Sequence, residues 1–216
     1  MPDLQLTIEG AEVAQHAATP LMLFKARLVN QPSDQLIHTV VLKAQIQIEV
    51  TRRKYDAKEQ ASLQDLFGEP ERWGQTLRNL LWTHASVVVP RFTGSTLIDI
   101  PVPCTFDFNV AATKYFHGLT NGDLPLCFQF SGTVFYQGME EALQVAPISW
   151  NKEAKYRLPV DVWKHLMDTY YPNSVWLALH KDAFEKLHQF KVREGIPTWE
   201  VALEKALNSV SETVRS

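Results

Sequence analysis

Seven histidines and two cysteines are the residues whose chemistry depends most on spacing. The histidines stand at 16, 38, 84, 117, 165, 180 and 188. None forms a His-x-His or His-x-x-x-His pair, and neither Cys104 nor Cys127 has a second cysteine at ligand spacing. Local zinc motifs need such spacings, so no metal site of that kind and no cofactor is expected. A site assembled across distant strands stays open, with His38, His84, Cys104, Asp107 and His117 as its members. Asp99 and Asp107 could also pair as an acid–base couple, since two close carboxylates push their pKa values apart. No Gly-x-Gly-x-x-Gly, Walker loop or Gly-x-Ser-x-Gly elbow occurs, and only 9 glycines are present. The common phosphate cradles and the hydrolase nucleophile turn are therefore not expected.

Two clusters point to binding instead. Arg52-Arg53-Lys54 is the one basic run. It could meet a phosphate or an acidic partner, or it could be a solvated strand end that discourages edge pairing. The stretch from Phe67 to Thr96 carries Arg72, Trp73, Arg78, Trp82, Arg91 and Phe92. Tryptophan and arginine dominate interface hot spots because they combine area with directed hydrogen bonds. These six form the candidate interaction surface, and the alternative is that the tryptophans pack the core while the arginines cap it.

The elements that must hold these residues follow from periodicity. In 216 residues, 45% hydrophobic and 21% charged, there is ample material for a globular core. Leu4, Leu6 and Ile8 alternate with polar residues, as do Met22, Phe24, Ala26 and Leu28. The alternation is longest over Leu36, His38, Val40, Leu42, Ala44, Ile46, Ile48 and Val50. Period two over that length predicts a strand with one buried face. Further strands are expected from about Trp82 to Val89, and from Thr96 to Ile100, stopped by Pro101 and Pro103. Others are expected at Phe106, Phe108, Val110 and Ala112, from Leu124 to Phe130, and from Leu143 to Ile148. Asn121-Gly122 reads as a hairpin turn between two of them.

Helices interrupt and then follow the strands. Asp56 can cap a first turn with Glu59 as its reciprocal partner, and Gly68 and Pro70 end that segment. A second brief helix is expected near Thr76 to Leu80. After Trp150 the period becomes helical. Val160, Trp163, Leu166, Met167 and Tyr170 share one face. Phe184, Leu187 and Phe190 share a second, and the run from Trp199 to Val210 forms a third. The expected fold class is α+β, mainly β. It is an antiparallel β-sandwich of seven to nine strands in residues 1–150, with a helical insertion at about 56–80. A C-terminal segment of three helices in 151–216 packs on it, all in a single domain 1–216.

Several of these motifs together resemble a bacterial family of unknown function, often encoded beside genes for actinobacterial-type NiFe-hydrogenases. The resemblance rests on Arg52-Arg53-Lys54-Tyr55, Leu66-Phe67-Gly68-Glu69-Pro70, Arg72-Trp73-Gly74 and Leu81-Trp82-Thr83. It continues through Phe92-Thr93-Gly94-Ser95-Thr96, Val102-Pro103-Cys104, Lys114-Tyr115-Phe116 and Phe130-Ser131-Gly132-Thr133-Val134-Phe135. Tyr156-Arg157-Leu158-Pro159-Val160, Tyr171-Pro172-Asn173-Ser174 and Trp176-Leu177 complete it. It carries over no catalytic residue, and it implies a place near hydrogenase assembly or operation.

Net charge is −3 and the pI is near 6.2, which lacks the basic footprint of a general nucleic-acid binder. No apolar run reaches membrane-spanning length. The N-terminal MPDLQLTIEG has neither the basic nor the apolar region of a signal peptide. Cytoplasmic location with two reduced, buried cysteines is the expectation. The leading functional expectation is a non-enzymatic accessory protein that binds another protein, such as a hydrogenase subunit or maturation factor. Two rivals stand beside it. One is a sandwich whose cavity takes an apolar or carbohydrate-like ligand, lined by Trp73, Trp82 and Tyr115. The other is the enzyme or metal protein assembled across strands.

Overall fold

The computed structural model describes residues 1–105, 110–138, 141–175 and 179–213. They form two compact units, Met1–Ser174 and Val175–Ser216. The first unit is an antiparallel β-sandwich with helices, so α+β and mainly β is its class. One sheet runs β1 (Asp3–Val13), β2 (Leu21–Gln31), β6 (Ser95–Pro103). The other runs β4 (Leu80–Val89), β3 (Leu36–Ile48), β7 (Asp123–Gln137), β8 (Leu143–Pro147). The short β5 (Phe92–Thr93) adds to β3, and β9 (Glu153–Pro159) adds to β7.

Alternation decides what each strand buries. On β2, Met22, Phe24, Ala26 and Leu28 are fully buried. The Phe24 ring spans the layers and meets Trp82, Phe128 and Tyr156 with centroids 5.9, 5.0 and 6.0 Å away, each edge to face. On β3, Val40, Leu42, Ala44, Ile46 and Ile48 are buried as their period demands. The start of that strand departs from the expectation. The register against β7 shifts between Ile37 and Thr39, so Ile37 takes the core position and His38 stays half-buried. A bulge exchanges the faces of a strand in this way.

Four other expectations are corrected. Pro101 and Pro103 do not stop β6. Cys104 donates its N–H to the Pro20 carbonyl, so the alternate prolines turn toward the free edge, where no donor is needed. Val110–His117 is helix α4 rather than strand, while Phe106 and Phe108 lie outside the described residues. Ala112, Tyr115 and Phe116 are its buried side, spaced i, i+3, i+4, and Leu119, just past its end, is buried too. Asn121-Gly122 therefore turns the chain from α4 into β7 and makes no β-hairpin. Last, residues 153–159 pair with β7 from Gln129 back to Asp123 as a strand, so the helical period expected after Trp150 begins only at Val160.

The insertion contains α1 (Ala57–Ser62), α2 (Gln64–Phe67) and α3 (Trp73–Thr76). The expected helix at Thr76 to Leu80 is displaced: α3 ends at Thr76 and Leu77 is already extended. The Asp56–Glu59 capping box is present in both directions. Helix α5 (Val160–Tyr170) buries Val160, Trp163 and Leu166, and it packs beside β1 and β9. In the second unit, α6 (Lys181–Arg193) meets α7 (Trp199–Thr213) through Phe184 and Trp199, centroids 5.3 Å apart.

Candidate functional site

The six residues of the expected interaction surface separate into two groups. Trp73, Trp82 and Phe92 are buried. Trp73 donates its indole N–H to the Gly68 carbonyl at 2.8 Å and meets the Tyr55 and Phe67 rings. Trp82 meets Phe24 and Phe116. Arg72, Arg78 and Arg91 are exposed. Arg78 and Arg91 flank opposite ends of β4, which ten residues hold about 30 Å apart. The aromatic half of this set packs the core, and the arginines do not share one patch with it. Tyr115 is also fully buried, among the Tyr55, Phe67 and Phe116 rings.

The basic run divides as sharply. The Arg53 side chain is only 6% exposed. Its guanidinium pairs with the buried Glu59 and donates to the carbonyls of Asn121 and Asp123 at 2.7 and 2.9 Å. Glu59 also accepts from the Thr120 N–H at 2.9 Å. This network ties α1 to the turn before β7. Arg52 and Lys54, on either side, are exposed.

Among the described residues, the candidates for a site across strands stand on different elements. His84 lies on β4 and bonds Gln45 at 3.1 Å. His117 ends α4 against the Trp163 ring. Cys104 follows β6 in one sheet, Cys127 belongs to β7 in the other, and both are free and buried. Burial pushes the Cys104 thiol up to about 12. Cys127 is raised by burial too, against the pull of Lys155 beside it. Asp99 is paired with Lys25 at 2.7 Å, and Asp107 lies outside the described residues. Among the described residues, no group of three His, Cys, Asp or Glu side chains could hold a metal ion.

What the geometry does present is a divided outer face on the larger sheet. Register places Val88 beside Val41, Val41 beside Thr133 and Thr133 beside Pro147, one row across four strands. The next row sets Phe135 beside Val145, and Leu143 follows on β8. Val88 is 66% exposed, Leu143 63%, Val145 58% and Val41 38%. The other half of the same face is polar apart from Leu81. There Gln45 and Gln47 both donate to Gln129, at 3.0 and 3.3 Å, and His84 reaches Gln45. On the outward side of β3, Lys43, Gln45 and Gln47 are polar, and Val41 among them is the sequence signal of the apolar half.

A model of a family of unknown function, DUF6084, matches residues 1–215. The chain belongs to the DUF6084 family. No curated protein matches the sequence. Among solved structures, the solution structure of a protein described as late embryogenesis abundant (LEA) is similar at 15% identity. It covers 72% of this chain and 71% of that one, with a TM-score of 0.34. No described helix of this DUF6084 member is long and apolar enough to cross a membrane.

Proposed function

We propose that this DUF6084 chain is a non-catalytic accessory protein that acts by holding or docking another protein. The observation that carries the reading is the apolar half of the outer sheet face. Single exposed valines are ordinary, but Val41 and Val88 are register partners, and Thr133, Phe135 and Pro147 carry the same face across β7 to Val145 and Leu143 on β8, so the four form one patch. The polar glutamine ladder beside it supplies the rim that such interfaces carry. The partner named first is a subunit or maturation factor of a NiFe-hydrogenase, a choice supported by the family resemblance alone. This reading puts the protein in the cytoplasm, where Cys104 and Cys127 would remain thiols.

Affinity capture from the native host at endogenous expression tests the proposal. The wild-type chain should recover a hydrogenase subunit or maturation factor. A Val88→Asp/Val145→Asp variant, with unchanged circular dichroism, should lose it. No reproducible protein partner, or the same partners on the variant, would overturn it.

A further inference from the structure

A second site lies at the edge of the other sheet, independent of the apolar face. β1 is an edge strand of its sheet, and α5 runs beside it. Between them opens a groove of about 760 Å³, within the range of about 300–1,000 Å³ typical of ligand clefts. Ala11, Val13, Leu23 and Val162 give it apolar walls. Glu12 and Asp161 line it together with His16 and His165, and among the described residues no Lys or Arg does. The Tyr170 hydroxyl donates to the Ala14 carbonyl at 3.0 Å and ties the two walls together at one end.

The backbone direction of β1 makes the groove specific. The Ala14 N–H bonds the Leu21 carbonyl on β2 at 2.9 Å. Antiparallel pairing alternates, so Glu12 also faces β2, while Ala11 and Val13 direct their main-chain groups to the free edge. The Ala11 N–H lies toward the Tyr156 hydroxyl. The Ala11 carbonyl and both polar groups of Val13 are left facing the groove. An open strand edge beside a helix is the geometry in which an added strand gains main-chain bonds from the edge and side-chain pockets from the helix.

From this geometry we infer that the β1–α5 groove captures an extended segment of a partner protein as an added antiparallel strand. Alternate side chains of the segment are apolar, and those between them are basic. The apolar side chains enter between Val13 and Val162. The basic ones meet Glu12 and Asp161. Glu12 is held toward Lys25 at 2.8 Å, so Asp161 supplies the larger part of the charge preference.

The test uses the isotope-labelled full chain and a mixture of eight-residue capped peptides. Their odd positions are Val, Leu, Ile or Phe, and their even positions Lys or Arg. Two control mixtures carry Glu in place of the basic residues, or N-methyl groups on alternate peptide bonds. The basic mixture should shift the Ala11, Val13 and Val162 amide signals and slow hydrogen exchange at Val13 at least tenfold. The acidic and N-methylated mixtures should bind at least tenfold more weakly, as should the basic mixture on Val162→Arg. No binding at millimolar peptide, equal binding of all mixtures, or shifts that map away from β1 and α5 would each overturn the proposal. Failure here leaves the sheet-face reading standing, because the two sites share no residue.

Discussion

The Tyr115 hydroxyl donates to the Tyr55 hydroxyl at 2.7 Å, and Tyr55 in turn donates to the Val50 carbonyl at 2.7 Å. Tyr55 has one proton, so the carbonyl fixes the direction of the pair. The chain of bonds anchors the helical insertion to the end of β3 from inside the core. Burial holds both phenols above their ordinary range.

Removing the middle member should therefore cost more than removing the end. Tyr55→Phe strands both the Val50 carbonyl and the Tyr115 hydroxyl, and about 2–3 kcal/mol of stability should be lost. Tyr115→Phe leaves Tyr55 bonded to Val50, and the loss should be about 1 kcal/mol. Urea unfolding of the two variants gives the order directly.

The Arg53–Glu59 pair should behave unlike the surface pairs. Its side chains are 6% and 2% exposed. Glu59→Gln leaves a buried guanidinium without its counter-charge and should destabilise the fold by about 3–5 kcal/mol. Asp65→Asn breaks the exposed pair with Lys114 and should change stability by less than about 1 kcal/mol. Thermal and denaturant melts of both variants check the contrast.

Two glycines should respond in opposite directions to alanine. Gly132 has φ +140°, and a Cβ there would sit 2.0 Å from the Val41 carbonyl oxygen. Backbone cannot yield that space, so Gly132→Ala should cost about 3 kcal/mol or more, or prevent folding. Gly74 lies in α3 with nothing within 4 Å of a Cβ. Gly74→Ala should stabilise by about 0.4–1 kcal/mol through the unfolded chain.

Cys104 makes a pH-dependent contribution. Its thiol moves from 9.0 to about 12 on burial. As pH rises past 9, the unfolded chain loses this proton first. The contribution is therefore present below pH 9 and is lost on the way to about 12. Between pH 9 and 11 the wild-type urea midpoint should fall more steeply than that of Cys104→Ala. A thiol reagent at pH 8 should modify Cys104 only on unfolding, and Cys127 sooner.

The strands with unbroken alternation were legible residue by residue, from Met22 to Leu28 and from Val40 to Ile48. So was the Asp56–Glu59 cap, because both depend on neighbours in sequence. Two further signals were present and outweighed. Ala154, Tyr156 and Leu158 alternate on β9, and Ala112, Tyr115 and Phe116 carry helical spacing on α4. Residue type could not place Trp73 and Trp82, since the area that suits an interface also suits a core. The apolar patch and the β1–α5 groove were beyond reach for another reason. The first depends on the register of four strands, and the second joins residues near 13 to residues near 162.

Photo-crosslinking in the native host tests the central claim most directly. A photoreactive residue would stand at Val88 or Val145 on the apolar half, and at His84 or Gln129 on the polar half. One partner protein should crosslink from both apolar positions, with weaker or absent products from the polar ones. No partner from Val88 and Val145, or the same yield from all four positions, would contradict it.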